Sequence, residues 1–215
     1  MIQNLVYKEL RLNINPWAYL WALAALLLLI PSWVFFVALG YIVMFFMMVS
    51  QFDKANQDLM FASSLPVPKS GIVLARACTV VITQVANLAV AAPVAIARYW
   101  LYPAGNQAGM NTNLAFFGLV MVMYAVFNLI YLPGSYSRPY RMLWPVLGGS
   151  LIALVVGGVL TTLPAVVPAL DVVNDRGMGH LGHQLAVFAV GVLLYAGGIV
   201  LAYRQAAANF AKVDL

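Results

Sequence analysis

From Asn15 to Ser50 the chain runs for 36 residues without a charge. A helix needs about 20 apolar residues to cross about 30 Å of hydrocarbon, so this run holds two spans. The break falls at Pro31-Ser32, where proline lacks an amide hydrogen and disfavours helical geometry in the residue before it. The pattern therefore predicts helices over residues 14–30 and 33–51, folded as a tight hairpin. Further apolar blocks predict spans over residues 72–102, 114–132, 142–163 and 184–203, with Pro133-Gly134 ending the fourth. Residues 1–13 follow another rhythm: Ile2, Leu5, Val6 and Leu10 recur at helical spacing while Gln3, Asn4, Lys8 and Arg11 lie away from them. That amphipathic pattern predicts a helix lying at the membrane interface. It is not a cleavable signal peptide, because the apolar run that follows is far longer than a signal's and has no small-residue cleavage site.

The expected fold is an all-α membrane protein: one transmembrane domain over residues 1–215, with six spanning helices and an N-terminal interfacial helix. The one dense polar interruption lies between the second and third spans, over residues 52–71. Asp53, Lys54, Asn56, Gln57 and Asp58 precede the apolar Leu59-Met60-Phe61, and Leu65-Pro66-Val67-Pro68 follows. This reads as a short amphipathic helix stopped by proline, lying along the bilayer surface and presenting its polar side to a soluble partner.

Composition supports the same class. Hydrophobic residues make up 64% of the chain and charged ones 8%, against about 25% charged in soluble domains. The net charge of +5 matters through its distribution. Lys8, Arg11, Lys54, Lys69, Arg76, Arg138, Arg141, Arg204 and Lys212 flank one set of connections, and only Arg98 and Arg176 flank the other. The positive-inside rule then places both termini and the 52–71 connection in the cytoplasm, as expected of a multi-pass protein of a bacterial inner membrane. No clustered basic face points to nucleic acid. The single Cys78 forms no internal disulfide and reads as a small packing residue.

Within the third span Thr79, Thr83 and Asn87 recur every four residues on one face, with Gln84 beside them. They either hydrogen-bond neighbouring helices, the commoner use of such side chains, or form a candidate substrate path. Pro93 is placed to kink this span, and Arg98 near its end is expected to snorkel to the outer surface. Gly149, Ala153 and Gly157 form a small-residue ridge that permits close helix approach, within the chain or across a dimer.

Gly177-Met178-Gly179-His180-Leu181-Gly182 matches GxGxxG, but the dinucleotide motif works only at a strand-to-helix turn and here falls in a loop between membrane helices. Asp175, His180 and His183 have metal-ligand chemistry but lack a fourth ligand, so a polar loop is preferred and no metal is expected. No P-loop is present, so the chain does not hydrolyse ATP in the P-loop manner. Nor is there a pair of carboxylates inside a span to carry ion coupling, so energy for transport is expected from a separate subunit.

The series Asp53-Lys54-x-Asn56-x-Asp58, then Ser64-Leu65-Pro66-Val67-x-Lys69-x-x-Ile72-Val73-x-Ala75-Arg76, placed after the second of six spans, resembles the bacterial ABC type-2 exporter permeases, in particular the small-permease branch of phenol-soluble modulin and bacteriocin exporters. Lys8-Glu9-Leu10 and the terminal Phe210-Ala211-Lys212-Val213-Asp214-Leu215 are like that family's ends. The resemblance implies a permease half that dimerises with a second copy or a homologue. Its first cytoplasmic connection would dock as a coupling helix into a separate ATPase subunit, which carries the ATP and magnesium; this chain binds no cofactor of its own. Carried over by position, Asp53, Lys54, Asn56 and Asp58 lie on or near that helix, Leu65-Pro66 marks the turn back to the third span, and Lys69 follows it. The short loop before the last span departs from relatives with a large extracellular domain.

The expected function is export of a hydrophobic or amphipathic substrate, a peptide, lipid or drug-like molecule, with the chain itself not an enzyme. Two other readings stay open: a non-transporting anchor, immunity or sensor subunit for an ATPase, and a membrane-embedded enzyme, for which no cluster of His, Asp or Ser at one depth is found.

Overall fold

The computed structural model describes residues 2–12, 14, 16–138, 141–177 and 179–213. Asp214 and Leu215 of the terminal resemblance and Met178 of the glycine motif lie outside them. The described residues are helical, with no strand among them.

Helix α1 (Ile2–Arg11) leads into a 3-10 helix (Pro16–Leu29), and the two axes meet at 86°. The apolar segment expected as the first span is thus helical over residues 16–29 but is not an α-helix, and with α1 it forms a sharply bent pair rather than one straight helix. Uninterrupted 3-10 helix of this length is uncommon. At about 2.0 Å per residue its 14 residues reach roughly 28 Å, whereas an α-helix of the same length reaches about 21 Å.

Helices α2 (Phe35–Gly40) and α3 (Ile42–Ala55) form one span interrupted at Tyr41. Helix α4 (Asp58–Ser64) follows a turn at Gln57, which has a left-handed backbone. Helices α5 (Lys69–Leu101), α6 (Leu114–Ser137), α7 (Leu143–Val166) and α9 (Leu181–Ala211) are the remaining apolar helices long enough to span, and the short α8 (Asp171–Asn174) sits in the loop before α9.

Pro133-Gly134 does not end the fourth span: α6 continues to Ser137. Proline removes one backbone bond, but tertiary contacts hold the helix on either side. Asn209 Nδ2 donates to the Pro133 carbonyl at 3.0 Å, and a side chain at Gly134 would meet Pro145 of α7 at 2.7 Å, so the absence of one lets the helices close together.

Helix α6 is the centre of the bundle, packed by α7 and α9. Its crossing with α9 is backbone on backbone: a Cβ added to Gly191 would lie 2.2 Å from the Gly118 carbonyl oxygen. The Gly149, Ala153, Gly157 ridge packs within the chain, Gly149 against Ile130 and Gly157 against Met123, which decides between the two readings left open by spacing. Toward the end that carries α4, Phe46, Phe127 and Tyr131 form an aromatic cluster with ring centroids 5.2 to 5.3 Å apart.

Candidate functional site

Helix α4 and the turn before it form an exposed platform. Lys54, Asn56 and Gln57 point outward, and so do Met60 and Phe61, at 48% and 57% exposure. Helix α4 begins at Asp58, so Asp53 and Lys54 belong to the last turn of α3 and Asn56 to the connecting turn.

The acidic side chains face the other way. Asp53 is buried and holds Arg76 of α5 through two contacts, Oδ2 to Nη1 at 2.8 Å and Nη2 donating to Oδ1 at 2.9 Å. Glu9 of α1 lies 2.9 Å from Arg76 Nε through Oε2. Asp58 pairs with Lys8, whose ammonium also sits 5.8 Å over the Phe61 ring. Burial pushes the Glu9 carboxyl above its usual range, with Arg76 opposing it. A fully buried guanidinium facing two carboxylates joins α1, α3 and α5, and the Lys8–Asp58 pair ties α4 to the same assembly. Burying such groups singly is costly, and bidentate pairing is the geometry that offsets it.

The amphipathic pattern of residues 1–13 is rotated accordingly. Leu5 and Glu9 are buried, while Ile2 is exposed. Glu9 turns inward because Arg76 is its partner, which hydrophobic periodicity alone does not anticipate.

Leu65 is half-buried and Pro66 exposed in the turn back to α5, where Leu65 has extended backbone. Lys69 donates from Nζ to the Val213 carbonyl at 2.6 Å and sits 5.5 Å from the Phe210 ring, joining the start of α5 to the end of α9. Helix α1, the end of α9 through Val213 and the 52–71 connection therefore gather at one end of the bundle.

Deeper in the bundle, the polar face of α5 is committed to protein partners. Thr79 and Thr83 donate to carbonyls of their own helix, those of Ala75 and Thr79. Gln84 exchanges two hydrogen bonds with Asn128 of α6, at 2.9 and 3.0 Å, and accepts a third from the Tyr195 hydroxyl of α9 at 2.8 Å. The Tyr124 hydroxyl lies 2.7 Å from Asn87 Oδ1 and 3.0 Å from the Leu39 carbonyl oxygen, beside the interruption in the second span. Gln84 and Asn87 are fully buried. The arrangement joins α2, α5, α6 and α9.

At the opposite end Arg98 does not snorkel outward. It turns inward and donates to the Leu28 and Ile30 carbonyls at 2.8 and 3.2 Å, where the 3-10 helix leaves its last acceptors free. In the loop before α9, His180 Nδ1 lies 2.9 Å from Asp175 Oδ2, and no group of three or more His, Cys, Asp and Glu side chains disposed to hold a metal occurs among the described residues.

Motif reading missed Lys8 and Glu9 as partners of the connection, Arg76 as its buried anchor, and Tyr124, Asn128 and Tyr195 as partners of the α5 amides. Arg76 carried a usable signal, because an ionisable residue in an apolar helix implies a buried partner. The others carry none short of tertiary contacts.

The model of the family described as "ABC-2 family transporter protein" matches residues 4–201. The chain belongs to that family, and it is a multi-pass permease subunit of an ABC transporter. No curated protein and no solved structure matches the chain.

Proposed function

We propose that this permease is the membrane half of an ATP-driven exporter. Two copies, or one copy and a homologue, span a bacterial inner membrane with both termini in the cytoplasm and move a hydrophobic or amphipathic molecule outward, powered by a separate ATPase that binds the ATP and magnesium. The observation that carries this reading is the platform at α4. Its outer face combines amide, ammonium and exposed apolar side chains, and its inner face is tied through Asp58–Lys8 to the Glu9–Arg76–Asp53 contacts that join α1, α3 and α5. A push on α4 is transmitted to three membrane-facing elements as one body, which is what coupling a soluble motor to rocking helices requires.

The test is a pull-down of tagged protein from membranes expressing the neighbouring ATPase, followed by an ATP hydrolysis assay and flux into inverted vesicles. Phe61→Asp together with Asn56→Ala should abolish co-purification while leaving the thermal unfolding temperature unchanged. Retained ATPase binding in that variant overturns the docking assignment. Intact ATPase binding by the unaltered protein with no flux of any amphipathic substrate makes the chain an anchor.

A further inference from the structure

Of eleven basic residues, only Arg98 and Arg176 lie at the end of the bundle away from α4, and Arg176 reaches the residue next to Arg98. The Arg176 guanidinium donates to the carbonyl of Tyr99, the residue after Arg98, at 2.8 Å and sits 5.0 Å from the Tyr99 ring. Among the described residues neither has a carboxylate partner: Asp175, the acid next to Arg176, is engaged by His180 and the Gly177 amide.

Arg98 is more demanding still. It is only 4% exposed. Two carbonyls occupy Nη1, and the Phe35 and Tyr102 rings lie 4.3 and 4.8 Å from the guanidinium carbon. Nη2, however, is buried with no acceptor. A second donor without a partner, Trp33 Nε1, belongs to the loop that carries Ile30 and leads to Phe35. A buried guanidinium hydrogen left unpaired costs more than a neutral one, so both orphans call for an acceptor, and that of Arg98 for an anionic one.

The surroundings indicate where that anion resides. Tyr99 and Trp100 are exposed, Trp100 at 75%, beside the exposed Leu101. Amphipathic rings flanked by apolar surface at the end of a spanning helix mark the headgroup layer of a bilayer. The anion available at that depth is the phosphate of a phospholipid.

We propose that the Arg98–Arg176 edge is a binding site for the phosphate of a lipid headgroup. Nη2 is covered in this structure, so the phosphate enters by displacing a ring. Tyr102 is the one to move, since it lies past the end of α5, whereas Phe35 is built into α2. The bound phosphate neutralises the guanidinium pair and fastens the end of the 3-10 helix, the end of α5 and the loop before α9 to one lipid. The site depends on neither the direction of transport nor the ATPase, so it stands or falls apart from the proposed function.

The experiment is thermal unfolding of the full chain, together with native mass spectrometry of retained lipid, in nanodiscs of phosphatidylglycerol or of phosphate-free diglucosyl diacylglycerol. The unaltered protein should unfold at higher temperature in phosphatidylglycerol and retain at least one lipid. Arg176→Gln should lose that difference and retain lipid roughly tenfold less, the size of one charge-assisted hydrogen bond. Arg98→Gln should do the same if it folds. Arg204→Gln, a cation at the opposite end, should behave as the unaltered protein. An equal loss in Arg176→Gln and Arg204→Gln, or no dependence on lipid phosphate, overturns the proposal. A shift of the same size in detergent on adding inorganic phosphate overturns the assignment to lipid.

Discussion

Replacing Arg76 by Met removes the one cation shared by two buried carboxylates. Asp53 contributes two contacts to it at 2.8 and 2.9 Å, and Glu9 one at 2.9 Å. Deleting one partner of a buried pair costs about 3 to 5 kcal/mol, because the charge left behind keeps its desolvation penalty. Glu9 reduces this, because the Lys8 ammonium still lies 4.0 Å from its Oε1 when Arg76 is gone. Asp53 then carries most of the loss, and about 3 kcal/mol is expected. For a chain of this size that corresponds to a fall of roughly 6 to 12 °C in Tm. Glu9→Gln should cost far less than Arg76→Met, because Arg76 keeps its bidentate partner and a neutral group replaces a carboxylate that burial disfavours, while Asp53→Asn should cost about as much as Arg76→Met. The double variant Arg76→Met with Asp53→Asn should be less destabilised than the sum of the two by about 2 kcal/mol, since neither leaves the other stranded. Thermal unfolding in one detergent at neutral pH measures all four. Strict additivity of the pair, or a Glu9→Gln loss as large as that of Arg76→Met, refutes the reasoning.

Glu9 also sets a pH dependence. Its folded-state carboxyl binds a proton more readily than the unfolded chain's, so its contribution is fully present below the unfolded value, about 4.3, and is lost as pH rises through the raised folded value; Tm measured across that window should fall in the unaltered protein relative to Glu9→Gln. Asp175 has the opposite sign, lowered first by the Gly177 amide and then by His180, so its loop should lose order as pH falls through its folded value, read as faster hydrogen exchange in the loop before α9 that Asp175→Asn abolishes as a pH effect. Gly191→Ala drives a methyl to 2.2 Å from the Gly118 carbonyl, where no side chain can yield, and should lower Tm by about 10 °C or prevent folding, whereas Gly197→Ala meets nothing within 4 Å and should raise stability by about 0.5 to 1 kcal/mol. Gln84→Ala strands Asn128 and the Tyr195 hydroxyl and should cost about 1 to 3 kcal/mol, most of it recovered when Asn128→Leu and Tyr195→Phe remove the orphaned groups.

The spanning helices were legible because hydrocarbon imposes one requirement on every residue of a span, and that requirement is local. Proline was the exception. Pro31-Ser32 does interrupt the helix, whereas Pro133 does not, because Asn209 and the close approach of α7 stabilise α6 across it. The second to third span connection was legible as polar and proline-stopped, but not in its division of labour. Periodicity placed Asp53 and Asp58 with Asn56 as one polar set; the structure turns both acids inward and leaves the amides and Phe61 outside. Arg98 reversed its expected direction for a similar reason, since carbonyls at the end of a 3-10 helix offered it acceptors within reach.

The amino-acid sequence by itself determined that this is a membrane protein of several spans, which connections share an end, and where the exposed polar segment between the second and third spans lies. These follow from composition, run length and charge asymmetry, each readable without knowing which helix touches which. Tertiary structure alone decided which polar groups are paired and which remain available. Arg76 with Glu9 and Asp53, Gln84 with Asn128 and Tyr195, and Gly118 against Gly191 are separated by tens of residues along the chain, and their partnership is a property of packing. The first apolar segment was decided the same way: its residues are apolar all round and suit either helix, and only the structure shows the 3-10 winding and the Arg98 guanidinium at its end.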